Sequence, residues 1–281
     1  EYFAMNVQVK YGLVSPEEYL AMVQEKMMIT EQFQDDLPFT ELSEFTLDKH
    51  SSQYQNVYYK GALIAMCLDL KLRNLSAGEY GLRDLMLELS EKYGKNKAFD
   101  DDELFDEITK MTYPEISEFF DKYVKAAEPL PLQELLATAG VKYLAEEKFY
   151  NYSLGLSNSN VSAKEINGKP RLYITQTDNI DDMGKALGFQ PEDVLLKING
   201  EAIPDLGPEL PAFIQRQMAS LSGRDSLTFT ILRADEKGEL KEKELAAKVA
   251  MVELTERHIL LFDPEATPEQ LAIRQSWIEP E

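Results

Sequence analysis

The hydrophobic period of this chain changes once, near Phe149, and that change limits what the chain can fold into. Before it, apolar residues recur at helical spacing; after it they fall into short strand-like runs separated by tight-turn residues. A length of 281 residues with 44% hydrophobic content is enough for about two domains with real cores. A helical domain followed by a compact β-rich one is therefore expected.

Composition narrows the function classes. Fifty acidic against 29 basic residues leave a net charge of −21, which argues against binding nucleic-acid phosphate or anionic lipid by general electrostatics. A single cysteine, Cys67, within an apolar helical run rules out an internal disulfide and reads as a buried, inert thiol. No stretch approaches the roughly 20 apolar residues of a membrane span. The first residues, Glu1-Tyr2-Phe3-Ala4-Met5-Asn6, show no initiator methionine, charged leader or cleavable apolar segment, so the chain is expected to start inside a larger one.

In the helical part, Ser15-Pro16-Glu17-Glu18 is a capping box with proline at the first helical position, so a helix should begin there. Residues 31–56 carry no sustained period and read as a long irregular connection. Residues 58–75 are apolar nearly all round, the pattern of a helix buried inside its domain, with Asp69 and Arg73 spaced to pair. Ser76-Ala77-Gly78-Glu79 reads as another capping box, opening a helix that carries Leu82, Leu85, Met86 and Leu89 and ends at Gly94. Asp100-Asp101-Asp102-Glu103 suits a helix N-terminus, with metal binding as the sharper alternative. Further helices are expected from Pro114 to Val124 and from Leu132 to Ala139, the last closed by Gly140.

In the second part, Leu172 to Thr175, Val194 to Ile198, Leu227 to Leu232 and Glu242 to Val249 read as strands. Asn199-Gly200 is a tight-turn dipeptide, and residues 208–221 form a helix carrying Leu210, Phe213, Ile214 and Met218. The tail contains the capping box Thr267-Pro268-Glu269-Gln270, so a short helix bearing Trp277 should dock back on a domain.

Two segments of the second part carry a resemblance. Ser153-Leu154-Gly155-Leu156 is similar to the loop that precedes the peptide-binding strand of PDZ domains. Leu187-Gly188-Phe189-Gln190-Pro191-Glu192-Asp193-Val194 through Asn199-Gly200-Glu201-Ala202-Ile203 follows the bacterial PDZ pattern, departing at Glu192, where glycine is preferred and where the turn type is expected to change. On its own the first segment reads as the ordinary start of a strand, and the PDZ reading rests on the two segments together. The resemblance implies backbone N–H groups around Gly155 that converge on a peptide carboxylate. The peptide would add as a strand beside Leu156, with its last side chain near Leu210 and Ile214.

Tyr58-Tyr59-Lys60-Gly61, leading into Ala62-Leu63-Ile64, resembles the Tyr-x-Lys-Gly segment of gluzincin metallopeptidases. Together with Tyr11 to Tyr19, Phe119 to Val124 and Glu128-Pro129-Leu130-Pro131, followed by a PDZ-like domain, it resembles the glycyl aminopeptidase family. The implied architecture is multidomain. It consists of the all-α half of a gluzincin catalytic domain at 1–146, a mixed β/α PDZ-like domain at 147–254, and a tail at 255–281.

The resemblance makes Tyr58, with Tyr59 as the competing assignment, a donor to the oxyanion of a peptidase transition state. It implies zinc in the intact parent but places all zinc ligands before Glu1, so no cofactor is expected in this chain and Glu1 would at most face the site. His50 and His258 are not in the His-Glu-x-x-His spacing and read as ordinary surface or packing residues. The expected whole is an aminopeptidase-like fragment, inactive alone. Its partners would be peptide or protein substrates and the upstream part of its own catalytic domain, and its place the periplasm or cell surface. The alternative is a peptide-binding scaffold whose parent lacks zinc.

Overall fold

The structure, a computed structural model, describes residues 1–95, 97–166 and 168–280. In chain order the elements are helices α1 (Tyr2–Lys10), α2 (Pro16–Thr30), α3 (Phe39–Phe45), α4 (Tyr54–Leu75), α5 (Leu82–Lys92), α6 (Leu104–Met111), α7 (Glu115–Tyr123) and α8 (Leu132–Thr138). Strands β1 (Val141–Tyr152), β2 (Val161–Ile166) and β3 (Lys169–Ile174) come next, then α9 (Asp182–Leu187), β4 (Val194–Ile198), β5 (Glu201–Ala202) and α10 (Glu209–Ser220). The chain ends with β6 (Ser226–Ala234), β7 (Leu240–Lys248), β8 (Met251–Phe262) and α11 (Pro268–Ile278). It divides into a helical unit, 1–147 with 257–281, and a sheet unit, 148–256. The division falls within β1 and within β8, which pair as a two-stranded ribbon.

The helical unit is built around α4. Residues Ala62, Leu63, Met66, Cys67, Leu70 and Leu72 of α4 are buried in one core with Tyr19, Val23 and Met27 of α2 and with Trp277 and Ile278 of α11. The Ser15 capping box is present: the Ser15 hydroxyl accepts the Glu18 N–H at 3.1 Å and the Glu18 carboxylate accepts the Ser15 N–H at 2.7 Å. Asp69 and Arg73 pair at 3.1 Å, but Asp69 does more than the spacing predicts. Only 1% exposed, it also accepts from the Tyr2 hydroxyl and, at 2.6 Å, from the Leu82 N–H. One carboxylate thus joins α1, α4 and the start of α5, and charge-assisted bonds of this kind are about twice as strong as neutral ones.

Several expectations are corrected. The connection at 31–56 is not irregular throughout: it contains α3 and the first residues of α4. The helix α3 is too short to show a period, but Pro38 starts it, Leu42 is fully buried, and the Thr40 N–H donates to the Val124 carbonyl at 3.2 Å. Ser76-Ala77-Gly78-Glu79 ends α4 instead of opening α5. Ala77 and Gly78 take φ of 54° and 92°, and the Gly78 N–H returns to the Arg73 carbonyl at 2.7 Å, the geometry of a helix C-terminus. The cap of α5 is Gly81, whose N–H donates to the Asp84 carboxylate at 2.8 Å. The long ribbon of β1 and β8 was not foreseen; most of its residues are exposed, so neither strand shows a clean alternation.

The tail belongs to the helical unit. Its Thr267 capping box is formed, and Trp277 is fully buried, edge-on to Tyr19, its ring N–H 3.2 Å from the Tyr2 hydroxyl.

The sheet unit is an antiparallel sheet in the order β2-β3-β4-β6-β7, with β5 paired to β4 and α9 and α10 contributing to its core. Asn199 and Gly200, at φ of 51° and 82°, make the tight turn between β4 and β5. Glu192 keeps a left-handed φ of 72°, so a side chain is carried in a conformation that favours glycine, with its carboxylate 2.5 Å from Lys164. Asp193, 1% exposed, is clamped by Arg233 at 2.7 and 2.6 Å and caps the Gln190 N–H at 2.8 Å.

Candidate functional site

The Tyr58-Tyr59-Lys60-Gly61 segment lies in the first half of α4, and three of its four residues serve the fold. A Cβ on Gly61 would stand 3.0 Å from the Phe39 ring, so glycine lets α3 pack closely. Lys60 reaches back to the Asp35 and Leu37 carbonyls at 3.1 and 3.4 Å. Tyr59 stacks on Phe33 at 6.4 Å under the Lys26 ammonium.

Tyr58 is different. It is 46% exposed and packs only edge-on against Tyr54, with the two hydroxyls 2.9 Å apart. That hydrogen bond raises the Tyr58 pKa from its ordinary value, with the Tyr54 charge, desolvation and the Glu1 carboxylate adding in the same direction. The hydroxyl is therefore a proton-bearing donor at neutral pH.

A cavity of about 500 Å³ opens here, its lining including Glu1, Lys26, Tyr54, Tyr58 and Tyr59. Glu1 faces this cavity and pairs with Lys26 at 3.2 Å. The structure thus brings together Tyr58, its alternative Tyr59, and Glu1. It adds Tyr54, which sequence reasoning passed over although it stands one helical turn before Tyr58.

The loop of the sheet unit is arranged otherwise. Ser153, Leu154 and Gly155 are buried, and Leu156 is partly buried against the same core as Leu210 and Ile214. Gly155 has φ of 84° and lies so close to α9 that its Cβ would come within 2.6 Å of the Gly184 nitrogen. Its N–H donates to the Ser153 hydroxyl at 2.9 Å, and that hydroxyl donates to Asp181, the N-cap of α9. The Ser157 N–H is taken by Asn160 at 2.9 Å. The Gly155 amide of the expected carboxylate cradle is thus satisfied from within. Leu156 lies in no strand: a short 3₁₀ turn at 158–160 intervenes, and the following strand, β2, starts at Val161. The edge strands of the sheet are β2, which pairs only with β3, and β7, which pairs only with β6.

Among the described residues no three His, Cys, Asp or Glu side chains gather as a metal site, the acidic run at Asp100–Glu103 included. Asp100 instead accepts the Asp102 N–H at 3.0 Å in the turn before α6. His50 pairs with Glu41 at 3.2 Å. His258 is no plain surface residue: with φ of 53° in β8, its Nδ1 lies 2.8 Å from the Tyr143 hydroxyl and its Nε2 3.0 Å from Glu31. No local signal marks this relay, since Tyr143 and His258 meet only through the pairing of β1 with β8. No described helix is long and apolar enough to cross a membrane.

No protein-family model and no curated protein matches the sequence. Among solved structures, an aminopeptidase N family protein from Idiomarina loihiensis aligns over 99% of this chain at 22% identity and a TM-score of 0.51. The PDZ domain of EpsC from Vibrio cholerae, residues 219–305, aligns over 31% of this chain and 90% of its own at 16% identity, and its TM-score of 0.22 is too low to carry an argument. This chain spans 47% of the Idiomarina protein. At that identity the likeness concerns the fold alone: the chain has the architecture of about half of an aminopeptidase N family protein, a helical unit joined to a sheet unit.

Proposed function

We propose that this chain is the C-terminal part of a zinc-dependent, aminopeptidase-like peptidase of the gluzincin class, in which Tyr58 donates its hydroxyl proton to the transition-state oxyanion. The observation that carries this reading is the Tyr58 side chain itself: exposed, little used by the fold, and opening on a cavity beside Glu1. A donor held where negative charge develops acts on turnover more than on ground-state affinity. Tyr54 is the positioning residue, fixing the Tyr58 ring and hydroxyl. The described residues of this chain do not by themselves fit zinc, since the cavity carries two carboxylates, Glu1 and Glu25, and no histidine. The metal belongs in this reading to a longer chain, in the periplasm or at the cell surface, that acts on peptides or proteins.

The test is a protein extended upstream by its own gene sequence, assayed for bound zinc and peptide hydrolysis. Activity should appear, and Tyr58→Phe should lower kcat about 100-fold or more with zinc retained. Unchanged turnover in Tyr58→Phe removes the role.

A second reading, a non-catalytic peptide-binding scaffold with a PDZ-like sheet unit, is favoured by the open edge of β2, along which an extended peptide can add as a strand. It predicts saturable peptide binding that a proline at Ser162 or Lys164 in β2 alters, with no hydrolysis in the extended protein.

A further inference from the structure

The largest cavity described in the helical unit lies on the other side of α4 from Tyr58. Asn56, Lys60 and Leu63 recur at i, i+4 and i+7 and line it, while Tyr58 is rotated by about 200° from Asn56 around the helix. Its volume is about 1150 Å³, ample for a small ligand or several residues of peptide.

At its wall stands an unsatisfied acceptor. Asn56 is 2% exposed, and its Oδ1 is buried without a hydrogen-bond partner among the described residues. Native proteins rarely leave such an atom unpaired, because the lost solvation costs about 1–3 kcal/mol. An acceptor of this kind, at the wall of a cavity, can take an N–H or O–H donor from a ligand or an ordered water.

The charges say which donor. Lys60 is engaged with Asp35 and two carbonyls, and Arg257 and His258 share the Glu31 carboxylate. The basic groups of the cavity are therefore already matched. Glu128 and Glu134, at the exposed rim, form no ion pair among the described residues, so the wall carries surplus negative charge. Pro129 and Leu130 between them offer apolar surface for an aliphatic stem.

We propose that this cavity binds a primary ammonium group on a flexible aliphatic chain, its N–H groups shared between Asn56 Oδ1 and the rim carboxylates. A lysine side chain of a peptide and a free polyamine share this chemistry. The site is independent of the Tyr58 reading and stands or falls without it.

Titration calorimetry of the purified chain with trilysine, spermidine and triglutamate tests it. Saturable binding of trilysine or of both cations, with none of triglutamate, is expected; binding of trilysine alone assigns the source as peptide, binding of both assigns the ammonium group as sufficient. Asn56→Leu should weaken affinity at least tenfold while the Tm holds or rises, because an unpaired polar atom is removed. The rim variant Glu128→Gln/Glu134→Gln should weaken it too and flatten its salt dependence, whereas Tyr58→Phe should leave it unchanged. No saturable binding of either cation, equal binding of triglutamate, or affinity unmoved in both the Asn56 and the rim variants overturns the proposal.

Discussion

The two candidate sites differ in how much of them the fold consumes. In the helical unit, Lys60 and Gly61 hold neighbouring segments, Tyr59 is stacked, and Tyr58 is left exposed over a cavity. In the sheet unit, Ser153 and Gly155 are spent on one another and on Asp181 and Gly184 of the α9 cap. A motif whose residues are free of structural duty is available for chemistry; one whose donors are satisfied by the fold is a fastening first. The contrast matters because both motifs are equally visible in the sequence.

Four substitutions break or sharpen this contrast. Asp69→Ala should have the largest effect, a loss of about 3–5 kcal/mol, since it strands Arg73 and removes the acceptor of Tyr2 and Leu82. Chemical denaturation followed by Trp277 fluorescence reads it in the helical unit, and a loss under 1 kcal/mol would show that the tie is not structural. Gly184→Ala should cost about 3 kcal/mol, because its Cβ would overlap the Gly155 carbonyl oxygen; hydrogen exchange should rise in residues 153–157 and 181–188. A well-tolerated alanine there would mean that the loop is looser than described and open to a ligand.

Ser153→Ala should cost about 1–2 kcal/mol through the unpaired Gly155 N–H and the loosened cap, measured by urea midpoint. Tyr58→Phe should change stability by less than about 0.5 kcal/mol, as expected for an exposed side chain. A larger loss would make Tyr58 a packing residue and erase the difference between the two sites.

The candidate residues were legible to unequal depth. Tyr58 could be singled out from its spacing to Lys60 and Gly61, yet nothing local showed that Tyr59 would be stacked and Tyr58 exposed; Phe33, far back in the sequence, decides that. The glycine of the 153–156 loop was readable as a special backbone position. That Ser153 would fill its own loop was not, because Asp181 lies 28 residues away. Ser76 to Glu79 matched a helix start while forming a helix end, since the same small and acidic residues suit both and only the backbone of α4 arriving from before distinguishes them.

What the sequence alone determined is what acts over three or four residues: the order of a helical part before strand-like runs, though not the start of β1 at Val141, the caps at Ser15 and Thr267, the Asn199-Gly200 turn and the pairing of Asp69 with Arg73. Tertiary structure decided what depends on distant segments meeting. It paired β1 with β8, carried α11 back into the helical core, gave Asp69 its bonds to Tyr2 and Leu82, and left Asn56 buried at the wall of a cavity. Periodicity and capping are written in neighbouring residues, whereas burial and long-range hydrogen bonds depend on which surfaces the whole chain brings together.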